Sequence, residues 1–113
     1  MTGERPLIGN LLDPLPDARG GEIFETLLAR PGVRVERIVS HGQATPEEAP
    51  YCQPHDEWVL LLAGEARLWI EGQEEIRLLP GDQRLIPALA VHRVVATAPD
   101  RSTVWLALHF GEE

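Results

Sequence analysis

The chain has 113 residues, 43% of them hydrophobic, and a formal net charge of −8. That is enough for one core and too apolar for global disorder. All ten basic residues are Arg and none is Lys, which removes Schiff-base chemistry and any P-loop lysine, while the acidic balance argues against a nucleic-acid partner. The single cysteine, Cys52, forbids an internal disulfide. No signal-peptide pattern opens the chain and no apolar run approaches membrane-spanning length. We therefore expect a cytoplasmic protein with no membrane partner.

Residues 1 to about 20 are punctuated by Pro and Gly and should pack as an arm leading into a single domain that spans 1–113. Glu22–Ala29 reads as a strand, with a short helix as the alternative, and "RPG" at Arg30–Gly32 turns the chain. Val33–His41 alternates, with Val33, Val35, Arg37 and Val39 on one face and Arg34, Glu36, Ile38 and Ser40 on the other. Gly42–Pro50 is a polar loop. The continuous apolar run "EWVLLLAG" reads as a strand covered on both faces, ended by Gly64. Glu65–Gly72 and Gln73–Leu79 form a hairpin, "PGD" turns, and "QRLIP" is a short strand. Val91–Ala98 and Thr103–Phe110 complete the set. Turn signals every eight or so residues, with no long helical periodicity, predict an all-β sandwich or barrel.

Polar chemistry is crowded into "PYCQPHDEWV", just before the apolar run. In an extended chain Gln53, His55 and Glu57 project to one side, spaced so that long side chains can converge on one ion. Asp56 faces away from Glu57, so the two are no acid–base pair. His92 stands far off in sequence, at the start of another apolar strand.

The frames around these residues resemble the cupin family. Its first motif ends in Glu, six residues and Gly, which Glu57 and Gly64 match. Its second motif runs Gly, five residues, Pro, a Gly two positions later, then His, and Gly81, Pro87 and His92 match it, with Leu89 at the inner Gly position and Ala96 at the final Asn. The histidine pair of motif one is absent; its positions fall at Tyr51 and Gln53, or at Pro50 and Cys52. The stretch Gln53-Pro54-His55-Asp56-Glu57-Trp58-Val59 is similar to small single-domain bacterial cupins. The resemblance implies a double-stranded β-helix (jelly-roll-like) barrel and carries over Glu57 and His92 as site residues. His55 and Gln53 join them by strand parity alone. Together they would form a facial set suited to Fe, Mn, Ni or Zn. The alternative is an apolar pocket with a hydrogen-bonded His–Glu pair.

Other candidates carry two readings each. Tyr51 lines the pocket or is an edge aromatic. Arg37 holds an anionic group of the substrate or pairs with a carboxylate of the barrel. Cys52 and His41 are expected to be a packing residue and a solvated strand end, and His109 is expected at the surface or a dimer interface. Trp58 and Trp69 fill the core or meet a second subunit. These expectations give a metal-binding barrel acting on a small organic molecule by oxygenation, isomerisation or lyase chemistry. The alternative is a non-catalytic ligand- or metal-binding module, and a homodimer is expected in either case.

Overall fold

The structure, a computed structural model, describes residues 8–111. Those residues form eight strands and no helix. They are β1 (Ile23–Arg30), β2 (Val33–Ser40), β3 (Asp56–Ala63), β4 (Ala66–Ile70), β5 (Ile76–Leu78), β6 (Gln83–Ile86), β7 (His92–Thr97) and β8 (Thr103–Phe110). The all-β expectation holds, and the strand alternative for Glu22–Ala29 is the one taken. Of the expected arm, residues 1–7 lie outside the described residues. No helix among the described residues is long and apolar enough to cross a membrane.

The strands form a five-stranded sheet, β1-β2-β8-β3-β6, and a three-stranded sheet, β5-β4-β7, with every pairing antiparallel. The core lies between them and follows from alternation. Val59 and Leu61 on β3, Trp105 and Ala107 on β8, and Ala66, Leu68 and Ile70 on β4 all point inward. On β3 the pattern is stricter than its composition suggests. Trp58, Leu60 and Leu62 stay half-buried, so this strand is covered fully on one face only. Trp58 instead donates from its indole nitrogen to Gln83 Oε1 at 2.7 Å, across the β3–β6 pair.

The polar loop after β2 is pinned to the outer edge of β7. Thr45 N donates to the Val94 carbonyl at 2.8 Å, and Val94 N donates back to Thr45 Oγ1 at 3.0 Å. Further along, Tyr51 and His92 exchange both backbone hydrogen bonds, at 2.8 and 2.9 Å. The loop therefore covers an otherwise open sheet edge and delivers Tyr51 and Gln53 beside β7.

Of the residues in the left-handed region, where only Gly is at ease, two carry a structural demand of their own. Gly64, between β3 and β4, has φ 85°. A Cβ there would stand 2.6 Å from Thr103 Cα and 2.7 Å from the Ser102 carbonyl oxygen, and would also collide with Thr103 Oγ1. Leu89 has φ 68° with its side chain in solvent. It occupies the position where the cupin motif has Gly. The two sites predict opposite responses in urea unfolding. Gly64→Ala should cost at least about 2 kcal/mol through strain and backbone collision. Leu89→Gly should stabilise by about 0.5–1 kcal/mol, the relief of left-handed strain offset by the greater entropy of Gly when unfolded. A destabilised Leu89→Gly would mean that the leucine side chain makes contacts worth more than the strain.

Candidate functional site

One face of the large sheet changes character over a single step of each strand. Across β3 and β8, Leu61 opposes Trp105 and Val59 opposes Ala107, but the next inward pair is Glu57 opposite His109. Across β2 and β8, Ile38 opposes Trp105 and Glu36 opposes Ala107. The apolar core thus ends in a polar tier. Glu57 is 7% exposed, Glu36 8%, His92 4% and His109 2%, so this tier is buried rather than rim. A pocket open to solvent lies over it. Val59, Leu68 and Ile86 supply part of its apolar wall.

The tier contains two carboxylate–imidazole units. In the first, His92 Nε2 faces Glu57 Oε1 at 3.7 Å, an ion-pair distance rather than a hydrogen bond. His92 Nδ1 lies 2.9 Å from the Ala90 carbonyl oxygen. A carbonyl only accepts, so Nδ1 carries a proton and Nε2 is the titrating atom. Burial works to lower the His92 pKa, but the Glu57 carboxylate and the Ala90 carbonyl together outweigh it and hold the value above the ordinary one. The Tyr51 ring stacks on the His92 ring with centroids 5.6 Å apart, fixing its plane.

The second unit is a chain. His109 Nε2 is 3.0 Å from Glu36 Oε1, and His109 Nδ1 is 2.9 Å from His55 Nε2. The carboxylate accepts, so the His109 Nε2–H donates to Glu36 and, in the neutral ring, Nδ1 accepts from His55. Arg34 Nη1 holds the other oxygen, Glu36 Oε2, at 2.8 Å. Burial acts to raise the Glu36 pKa, yet the His109 hydrogen bond and the Arg34 charge leave it below the usual value. Both nitrogens of His109 are engaged, so its role is to keep Glu36 buried and ionised.

The sequence-based set is divided by this arrangement. Glu57, His92, Gln53 and Tyr51 all line the pocket. His55 bonds to His109 and is not among the lining residues. The parity argument had assumed an extended chain from Gln53 onward, but β3 begins only at Asp56, and Pro54 and His55 form a bend. Gln53 is instead placed by its carbonyl, which accepts from Leu89 N at 2.6 Å. Its side-chain Oε1 is buried without a hydrogen-bond partner. Arg37 does not line the pocket, and of its two readings the pairing with a barrel carboxylate is the one taken. Its guanidinium pairs with Glu25 at 2.7 Å and donates to the Leu11 carbonyl at 3.0 Å, on the opposite face of β2 from Glu36 and Ile38. Cys52 is exposed, with Sγ 3.5 Å from the Leu89 carbonyl oxygen.

Three chemistry-bearing lining residues, Glu22, Glu36 and His109, were not assigned to the site from the sequence, and His109, expected at the surface or a dimer interface, is only 2% exposed. For His109 a signal existed, since it shares strand parity with Trp105 and Ala107, both buried. The donor chemistry also bears on a bound metal. Among the described residues no three His, Cys, Asp or Glu side chains are grouped so as to hold an ion. Glu57 and His92 are the only two such donors from the expected set that face each other within 4 Å, and amide oxygen is a weak addition. One carboxylate, one imidazole and an amide oxygen make a weak donor set for an ion.

Comparison with known proteins places this geometry. The Cupin_2 family (Cupin domain) matches residues 36–109, more than half of the chain and a span that contains both carboxylate–imidazole units. A crystal structure from Ralstonia eutropha JMP134, provisionally described as a mannose-6-phosphate isomerase, is 42% identical, with a TM-score of 0.89 over 95% of this chain and 100% of that one. A cupin superfamily protein from Desulfitobacterium hafniense DCB-2 is 22% identical, with a TM-score of 0.74 over 96% of this chain and 93% of that one. KdgF from Halomonas sp. is 23% identical, with a TM-score of 0.71 over 87% of each chain. A search of curated proteins found no match. The two packed antiparallel sheets are thus the double-stranded β-helix, and the chain belongs to the cupin family.

Proposed function

We propose that the pocket binds a small organic molecule and that Glu57 and His92 are its working pair. The observation that carries this reading is the His92 Nε2–Glu57 Oε1 separation of 3.7 Å at the pocket wall, with the other imidazole nitrogen tied to a carbonyl. The pair can hold a proton at Nε2 and give it to, or take it from, a ligand atom placed between the two groups. Isomerase- and lyase-type reactions ask this of a protein, and so does simple recognition of a polar group. The His92 pKa, held above its ordinary value against burial by Glu57 and the Ala90 carbonyl, favours a proton on this imidazole.

A divalent metal is the second reading, favoured by two observations. His92 presents the tautomer that metal-bound imidazoles adopt, with the remote N–H on a carbonyl. Gln53 Oε1 is a buried acceptor with no partner. Glu57, His92 and Gln53 would be its ligands. The two readings separate in one preparation. Chain purified without an affinity tag, under metal-replete conditions, should carry well below one Fe, Mn, Ni or Zn per chain by elemental analysis. A thermal-shift screen of the EDTA-treated protein should still find small molecules that raise its Tm, with the shift lost in Glu57→Gln and His92→Gln. Near-stoichiometric metal that disappears in His92→Ala would establish the metal reading instead.

We propose further that the barrel works as a cytoplasmic homodimer. An exposed thiol such as Cys52 suits a reducing compartment. β1 is an edge strand whose Leu27 and Leu28 are each 44% exposed, an apolar edge that a second copy would cover. Sedimentation velocity should give the mass of two chains, shifted toward one by Leu28→Glu. A single-chain mass for the wild type would remove the proposal.

A further inference from the structure

Resting on the small-molecule reading of the pocket, the sign and hydrogen-bonding needs of its lining narrow the ligand class. Glu22, Glu36 and Glu57 all line the pocket, and no Arg does. Glu36 is balanced from outside the pocket by Arg34, and Glu57 faces His92. Glu22 is different. It accepts a hydrogen bond from the Ser40 hydroxyl and meets no cationic partner among the described residues. Burial raises the Tyr51 pKa, and Glu22, Glu57 and Glu36 all add to it, so the three carboxylates act on one shared volume.

A second need is independent of the carboxylates. Gln53 Oε1 is buried, unpartnered and part of a residue that lines the same pocket, so it awaits a donor. An acceptor left unsatisfied in this way is costly until a ligand supplies the hydrogen. The walls add a third feature. Phe24, Tyr51 and Trp105 line the pocket beside the aliphatic side chains of Val59 and Ile86, and aromatic faces attract cations.

We propose that the pocket takes a small organic cation, a protonated amine on a short apolar body. The ammonium group would donate to Glu22 and Gln53 while the body lies against the aromatic and aliphatic wall. An anionic ligand such as a sugar phosphate meets three carboxylates and no guanidinium, and the imidazoles that line the pocket are already turned to carboxylates, His92 to Glu57 and His109 to Glu36. This sets the chain apart from the activity suggested for its Ralstonia relative.

The test is a charge series on one carbon skeleton. The EDTA-treated full chain is titrated with butylammonium, 1-butanol and butyrate, and separately with mannose 6-phosphate. Binding is followed by NMR at the Gln53 side-chain amide and the Trp105 indole N–H. Butylammonium should bind about tenfold more tightly than 1-butanol, the scale of one charge-assisted hydrogen bond, and the two anions should leave both signals unmoved. In Glu22→Gln the advantage of butylammonium over 1-butanol should largely vanish while 1-butanol binding is unchanged. Equal binding of cation and alcohol, or tighter binding of either anion, overturns the cation assignment and leaves the small-molecule pocket standing. No response from any of the four probes overturns both.

Discussion

Two carboxylates, Glu36 and Glu57, are buried at one end of an apolar barrel, and each needs a polar partner there. Moving a carboxylate out of water costs several kcal/mol even after the protein relaxes. Each is met by an imidazole, Glu36 by His109 at 3.0 Å and Glu57 by His92 at 3.7 Å. The difference between the two contacts separates their roles. Glu36 is closed off, with His109 on one oxygen and Arg34 on the other. Glu57 and His92 face each other across a gap at the pocket wall, so their electrostatic needs are only partly met within the chain. A ligand can enter where the pairing is incomplete.

The fold makes this arrangement by register. Antiparallel pairing sets Glu57 directly opposite His109, and Glu36 opposite Ala107, on one continuous inward face. A slip of one residue in β3 or β8 would turn the polar tier outward and the half-buried Trp58 and Leu108 inward. Gly64 is one of the devices that fixes the register, because the β3–β4 turn passes too close to Thr103 for any Cβ. The loop that seals the β7 edge fixes the other side of the pocket by pairing Tyr51 with His92. Core, turn and site therefore depend on one another, and a change in packing at the turn would be felt at the carboxylates.

Alternation made most of the strands legible in the sequence, and the cupin frames marked Glu57, Gly64 and His92 because those positions carry backbone or side-chain demands of their own. Two kinds of information were out of reach. Parity holds only along a regular strand, and the bend at Pro54–His55 breaks it, so His55 is directed to His109 while Gln53 and Glu57 remain at the pocket. Contacts between distant strands need register, which no local pattern encodes. Glu36 looked like an ordinary polar residue on an alternating strand, and His109 like a strand-end histidine, until β8 lay between β2 and β3. Arg37 takes the second of its two readings for a related reason. The arm supplies backbone carbonyls to its guanidinium, and β1 supplies Glu25, so the face of β2 that carries it is closed by the chain's own N-terminal segments.

The central claim is that Glu57 keeps a proton on His92 Nε2 while Nδ1 remains tied to a carbonyl. It is tested most directly by a pH titration of the imidazole nitrogens in the ¹⁵N-labelled protein. The account predicts that His92 titrates above the ordinary histidine value of 6.5, that its neutral form carries the proton on Nδ1, and that Glu57→Gln brings the midpoint down. A midpoint at or below 6.5, or a neutral form protonated on Nε2, would contradict it.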